Sequence, residues 1–199
     1  MGILLRAVLL QLLLLLTPLA YAQPVQPLAT NWNLVGNHSP TAIDPVSVFG
    51  NASAPITGIS DRIASVWGWN SAASNWMFYA PIYDPAGLSA YAATRSYGVL
   101  STIPSGAGYW VNASAPLTLA LPGGNAPTTA PTQNLFAGWN LVANNTAAAI
   151  DPVALFGNAT TQLSISPLVA TVWKWDAAAA RWMFYSPSMT PAALASYAA

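Results

Sequence analysis

Six of the nine tryptophans in this 199-residue chain repeat one spacing: Trp67, Trp69 and Trp76, then Trp173, Trp175 and Trp182. Indoles two positions apart on an extended strand share a face. Such a row of flat apolar rings with N–H edges is a surface on which sugar rings can stack. Trp110, in "GYWVNA", joins them. These seven are the candidate glycan-stacking residues, with a polysaccharide or another envelope component as partner. The competing reading makes the same rings a hydrophobic core built on a β-hairpin, since each buried aromatic removes about 150–250 Å² from water.

Catalytic chemistry finds little to work with. His38 is the only histidine and its counterpart in the repeat described below is Asn145, so a histidine triad or metal site could exist in one copy at most. In "NHSP" it reads as a solvated loop residue. Cysteine is absent, and the five Asp stand singly, with no carboxylate pair of the kind glycoside hydrolysis needs. The Gly-x-Gly of "IPSGAGYWVNA" precedes a strand and lacks a following Lys-Ser/Thr, so it reads as a turn and not a phosphate loop. No catalytic, cofactor-binding or metal-binding residue is assigned, no cofactor is expected, and the chain reads as a non-enzyme.

The elements that position the tryptophans occur twice. "VWGWNSAASNWMFYAP" (66–81) returns as "VWKWDAAAARWMFYSP" (172–187), identical at 10 of 16 positions. "NWNLVGN" (31–37) matches "GWNLVAN" (138–144), and "AIDPVSVFGNA" (42–52) matches "AIDPVALFGNA" (149–159). Self-similarity on this scale marks duplicated modules. The reading divides the chain into a lead at 23–30, module 1 at 31–121, a Pro/Gly/Thr linker at 122–134 and module 2 at 135–199. Module 2 matches module 1 only as far as Ala93, the counterpart of Ala199, so the reading expects an incomplete second module cut from a longer protein.

Within a unit, "WNLV", "IASVWGWN", "WMFYAP", "GYWVNAS" and "LTLALP" read as strands, and "DPVSVFG" and "DPAGLSAYAATRS" as helices. Asp44 and Asp151 stand where an N-cap belongs, before a proline at the first helical position and with a glycine at the end. Asp84-Pro85 has Thr190-Pro191 as its counterpart, an exchange that keeps a capping oxygen and loses the carboxylate. That makes these aspartates structural. The fold expected is α+β: two tandem antiparallel-sheet modules, each with short helices.

Arg6, an apolar run over 7–19 and Ala20-Tyr21-Ala22 form an export signal, assigned to 1–22 with cleavage before Gln23. The run is shorter than the roughly 20 residues of a membrane span, and no later segment is apolar enough to be one. Only 5% of the chain is charged, which leaves no electrostatic footprint for nucleic acid or anionic lipid. The expected location is the periplasm, cell surface or extracellular space. Without disulfides, stability must come from core burial.

Through "GWNLVAN", "AIDPVALFGNA", "VWKWD", "RWMFYSP" and "GYWVNA" the chain resembles the tryptophan-rich repeat modules of secreted proteins from Gram-negative bacteria. The resemblance implies export and modular architecture and carries over no functional residue. The hairpin "VWKWDAAAARWMFYSPSM" also looks like one hairpin of a kelch blade, which would make the alternative an all-β propeller-like fold. Against it stand the missing Gly-Gly pair, a period of about 107 residues in place of about 50, and the helical segments. The function expected is an exported, non-enzymatic repeat protein with an adhesion or envelope role; the alternative is a glycan-binding module of a larger secreted enzyme.

Overall fold

The computed structural model describes residues 25–122, 132–144 and 149–198. The signal segment, most of the linker and Asn145 lie outside the described residues. The strands are β1 (Val25–Leu28), β2 (Asn31–Gly36), β3 (Ile63–Asn70), β4 (Asn75–Tyr79), β5 (Gly98–Val99), β6 (Gly108–Ala113), β7 (Leu117–Ala120), β8 (Val172–Asp176) and β9 (Arg181–Tyr185). The helices are α1 (Pro45–Phe49), α2 (Pro85–Thr94), α3 (Pro152–Phe156) and α4 (Pro191–Ala198), with a 3₁₀ turn at Ser166–Leu168. The chain is mixed α+β, and the four helices among the described residues separate it from an all-β fold. Among the described residues no sheet closes into a barrel.

Five strands form one sheet in the order β2-β6-β3-β4-β5, while β1-β7 and β8-β9 are separate pairs. The expected strands form except the second "WNLV" (139–142), which makes only an isolated bridge from Val142 to Ala107, and the first sheet is not wholly antiparallel. Between β4 and β5 the crossover helix α2 carries the chain back to the starting end, so β5 joins β4 in parallel, Met77 opposite Gly98 and Phe78 opposite Val99. The lead, which the sequence reading leaves without an element, supplies β1, paired antiparallel to β7 from Val25–Ala120 to Leu28–Leu117.

Strand register sorts the first sheet into two faces, because residues directly opposite in a ladder share a side. Val35 pairs with Tyr109, and Val66 with both Val111 and Tyr79; all five side chains are buried. They join Ile43, Val48 and Phe49 from α1 and its approach, and Leu119 from β7, in one core. Tyr109 packs edge-on to Phe49 at 6.5 Å, which locks α1 onto this face.

The caps form as expected. Asp44 accepts from Val46 N at 3.0 Å, Asp84 from Gly87 N at 2.7 Å and Asp151 from Val153 N at 2.9 Å. Thr190 takes the same place before α4, accepting from Ala193 N at 3.2 Å. All four helices open on proline, whose missing N–H costs nothing in the first turn. Gly50 and Gly157 end α1 and α3 at φ 68° and 71° with ψ near 180°, a conformation open in practice only to glycine.

Candidate functional site

The opposite face of the first sheet carries the tryptophans. Register places Trp67 opposite both Trp110 and Phe78, Trp69 opposite Trp76, and Trp110 opposite Leu34. The core-on-a-hairpin reading holds in part: Trp67 packs against the core, whereas Trp76 is left exposed. The hairpin feeds the core through Val66, Phe78 and Tyr79, with Trp67 packed against it; Trp69, Trp76 and Trp110 share the face of Trp67. Phe78 shares that face and is nonetheless buried, since Tyr83 and Tyr91 around α2, and Tyr97 beyond it, pack over its ring.

The β8–β9 hairpin repeats the pattern, with Trp175 opposite Trp182 and Trp173 opposite Phe184. Its indoles lie against the first sheet: Trp110 meets Trp182 at 5.5 Å and Trp175 at 6.2 Å between ring centroids. Between them opens a groove of about 480 Å³. Trp32, Trp67, Trp76, Tyr97 and Trp110 line one side, Trp175 and Trp182 the other. Neighbouring rings meet edge to face, Trp32 with Trp110 at 87° and Trp67 with Trp76 at 89°, so the walls are slots between rings as well as flat faces.

Five of the seven candidate stacking residues thus come together: Trp67, Trp76, Trp110, Trp175 and Trp182. The other two are engaged elsewhere. Trp69 donates its indole N–H to the Trp139 carbonyl at 2.8 Å, and Trp173 donates to Thr171 Oγ1 at 3.2 Å. Trp32 and Tyr97 line the groove although the sequence reading did not nominate them. For Trp32 a signal exists: it alternates with Asn33, which is buried and bonded to Ala29 and Asn31, so its own side chain takes the other face. Tyr97 arrives through the turn after α2, which no periodicity marks.

Four groove indoles keep their polar edge available. Among the described residues the Nε1 groups of Trp32, Trp76, Trp110 and Trp182 have no protein acceptor, whereas Trp67 Nε1 donates to Ser65 Oγ at 2.9 Å and Trp175 Nε1 to the Trp32 carbonyl at 2.8 Å. Trp32, Trp76 and Trp182 are 43%, 40% and 51% exposed. Among the described residues no carboxylate or cation lines this groove, and what it offers there is ring faces and N–H donors.

Candidate acids and bases sit elsewhere. Asp176 accepts from Ala178 N and Ala179 N in the β8–β9 turn, Asp44, Asp84 and Asp151 cap helices, and Asp61 lies in the turn before β3. Among the described residues no three His, Cys, Asp or Glu side chains gather as metal ligands, and no helix is long and apolar enough to cross a membrane. His38 departs from the solvated-loop expectation: it is half-buried, with Nδ1 against the Asn144 carbonyl where the two copies meet. Three tyrosines are raised by burial, Tyr185 among them, with the Asp151 carboxylate adding to its shift. Tyr79 is pushed up to about 12, first by desolvation and then by the Asp44 carboxylate, while burial raises Tyr109 still further.

Compared with protein-family models, curated proteins and solved structures, the chain matches none.

Proposed function

We propose that this chain is an exported, non-enzymatic repeat protein built from two tandem modules, that it serves adhesion at the cell envelope or outside the cell, and that the tryptophan groove is the surface it adheres with. The observation that carries the reading is the set of half-exposed rings, Trp32, Trp76 and Trp182, with free indole N–H groups around one groove. Large apolar rings left in water by a folded chain mark an interaction site, and tryptophan combines apolar area with a donor in one rigid side chain.

A second reading, a glycan-binding module of a larger secreted enzyme, is favoured by the same free N–H edges, which suit hydroxyl acceptors beside a stacked sugar. Depletion from solution by insoluble cellulose, chitin or peptidoglycan tests it. The expected result for a glycan ligand is retention on one polymer, lost in Trp76→Ala and Trp182→Ala while the circular dichroism spectrum stays unchanged. No retention on any of the three leaves adhesion to a protein surface as the reading, and groove tryptophans shielded from acrylamide quenching in the free protein would defeat both.

A further inference from the structure

Among the hydrogen bonds that tie the two copies, beside Gly108 N to the Leu141 carbonyl and Ala143 N to the Gly106 carbonyl, one is made twice. Trp69 Nε1 donates to the Trp139 carbonyl at 2.8 Å, and Trp175 Nε1 donates to the Trp32 carbonyl at 2.8 Å. Trp69 and Trp175 are the same position in the repeat, and so are Trp32 and Trp139. Each copy therefore carries both the donor and the acceptor of the contact. Gly36 meets its own counterpart, Ala143, so closely that a Cβ on Gly36 would strike the Ala143 methyl. A position touching its own equivalent, flanked by reciprocal contacts, is the signature of a two-fold, self-complementary interface.

We propose that this face is a self-association surface whose partner is a second copy of this chain. The first unit of one molecule docks on the second unit of another through the Trp69–Trp139 and Trp32–Trp175 bonds, and the exchange closes into a dimer when both molecules do so. A surface of this kind does not distinguish a unit of its own chain from the same unit of a neighbour; only the connection through 122–134 does. A short connection supplies an effective concentration on the order of millimolar, so the contact closes within one chain in dilute solution and between chains as protein concentration approaches that value. Exchange of an identical element needs no new contact, which makes it a low-cost route to a dimer. The proposal does not depend on the groove's ligand.

The chain's lack of cysteine makes introduced thiols clean reporters. Gly36→Cys/Ala143→Cys, refolded as the full chain and then oxidised, should give a disulfide within the monomer in dilute solution and a covalent dimer at about millimolar concentration. Single variants Gly36→Cys and Ala143→Cys should cross-link when mixed at high concentration and stay uncoupled alone. A disulfide confined to the monomer at both concentrations overturns the proposal, as does cross-linking of either single variant alone as readily as the mixture. Since a side chain at Gly36 is crowded, light scattering on the unaltered chain refolded at the same two concentrations is the second readout: a dimer mass at the higher one supports exchange, and a monomer mass throughout refutes it.

Discussion

The two hairpins share their geometry closely and differ in how much of it is buried. Trp67 and Phe78 lie 4.8 Å apart at 60°, and their counterparts Trp173 and Phe184 lie 4.7 Å apart at 56°. Ser60 Oγ donates to the Phe49 carbonyl at 2.7 Å, as Ser166 Oγ does to that of Phe156. Asn33 and Asn140 make the same three local bonds, and the Tyr79 and Tyr185 hydroxyls donate to the carbonyls of Gly50 and Gly157. Yet Pro45, Val48 and Phe49 of α1 are buried, while α3 buries none of its residues. At these caps, turns and hairpins local conformation follows from local sequence, whereas "WNLV" is a strand only in the first copy, where β6 pairs with it. Burial follows from strands distant in the chain, since Tyr109 of β6 packs on Phe49 of α1, and Val111 of β6 and Leu119 of β7 join that core.

The sharpest way to break this comparison is to truncate the same ring in both copies. Phe49→Ala should cost about 3–5 kcal/mol, the range for emptying a packed aromatic site. Phe156→Ala, at a half-buried ring, should cost well under half of that. Hydrogen exchange read by mass spectrometry separates the two regions in one molecule. Equal losses would mean that α3 is as deeply packed as α1, and that the contrast in burial is not a property of the protein in solution.

A smaller effect is expected at the tyrosines. Tyr79→Phe leaves the Gly50 carbonyl without its donor and should cost about 1–3 kcal/mol, with Tyr185→Phe costing less because its site is half-open. The pH dependence has a definite sign. Burial raises Tyr79 from its ordinary 10 to about 12 in the folded chain. The native state therefore holds a proton that the unfolded state gives up first. Stability is full below pH 10 and falls as pH rises toward about 12. Denaturant melts across that window should show the loss, shallower in Tyr79→Phe, with Tyr109 and Tyr185 retaining the rest. A Tyr79→Phe variant that declines as steeply as the parent chain would remove Tyr79 from the account.

How much of this was legible in the sequence follows the same division between local and distant. Caps, helices and the hairpin phases were readable because each signal sits within a few residues: Asp44-Pro45, Asp84-Pro85, and the alternation in "VWGWN". The parallel pairing of β5 and the β1–β7 ladder were not, because they join segments separated by a helix or by most of a module. The groove divides likewise. Alternation puts Trp67 and Trp69 on one face but cannot show that Trp69 turns to the Trp139 carbonyl, 70 positions away, while Trp67 stays at the groove. Tyr97 had no signal because a turn, not a period, delivers it.

The smallest expected effect bears most directly on whether the local code is autonomous. Asp44→Ala and Asp151→Ala each remove one acceptor from the second residue of a five-residue helix, at 3.0 and 2.9 Å, and should each cost about 0.5–2 kcal/mol. Unlike the aromatic truncations, these two should cost nearly the same, because the cap bonds a backbone N–H two residues on and draws nothing from the strands that cover α1. Both carboxylates lie at exposed positions, so neither loss is amplified by a buried charge. Restoring Asn at either site should recover most of the loss, since its side-chain oxygen accepts the same bond. If Asp44→Ala destabilises its region severalfold more than Asp151→Ala does its own, the cap's contribution depends on distant packing, and shared geometry in the two copies no longer implies shared local energetics.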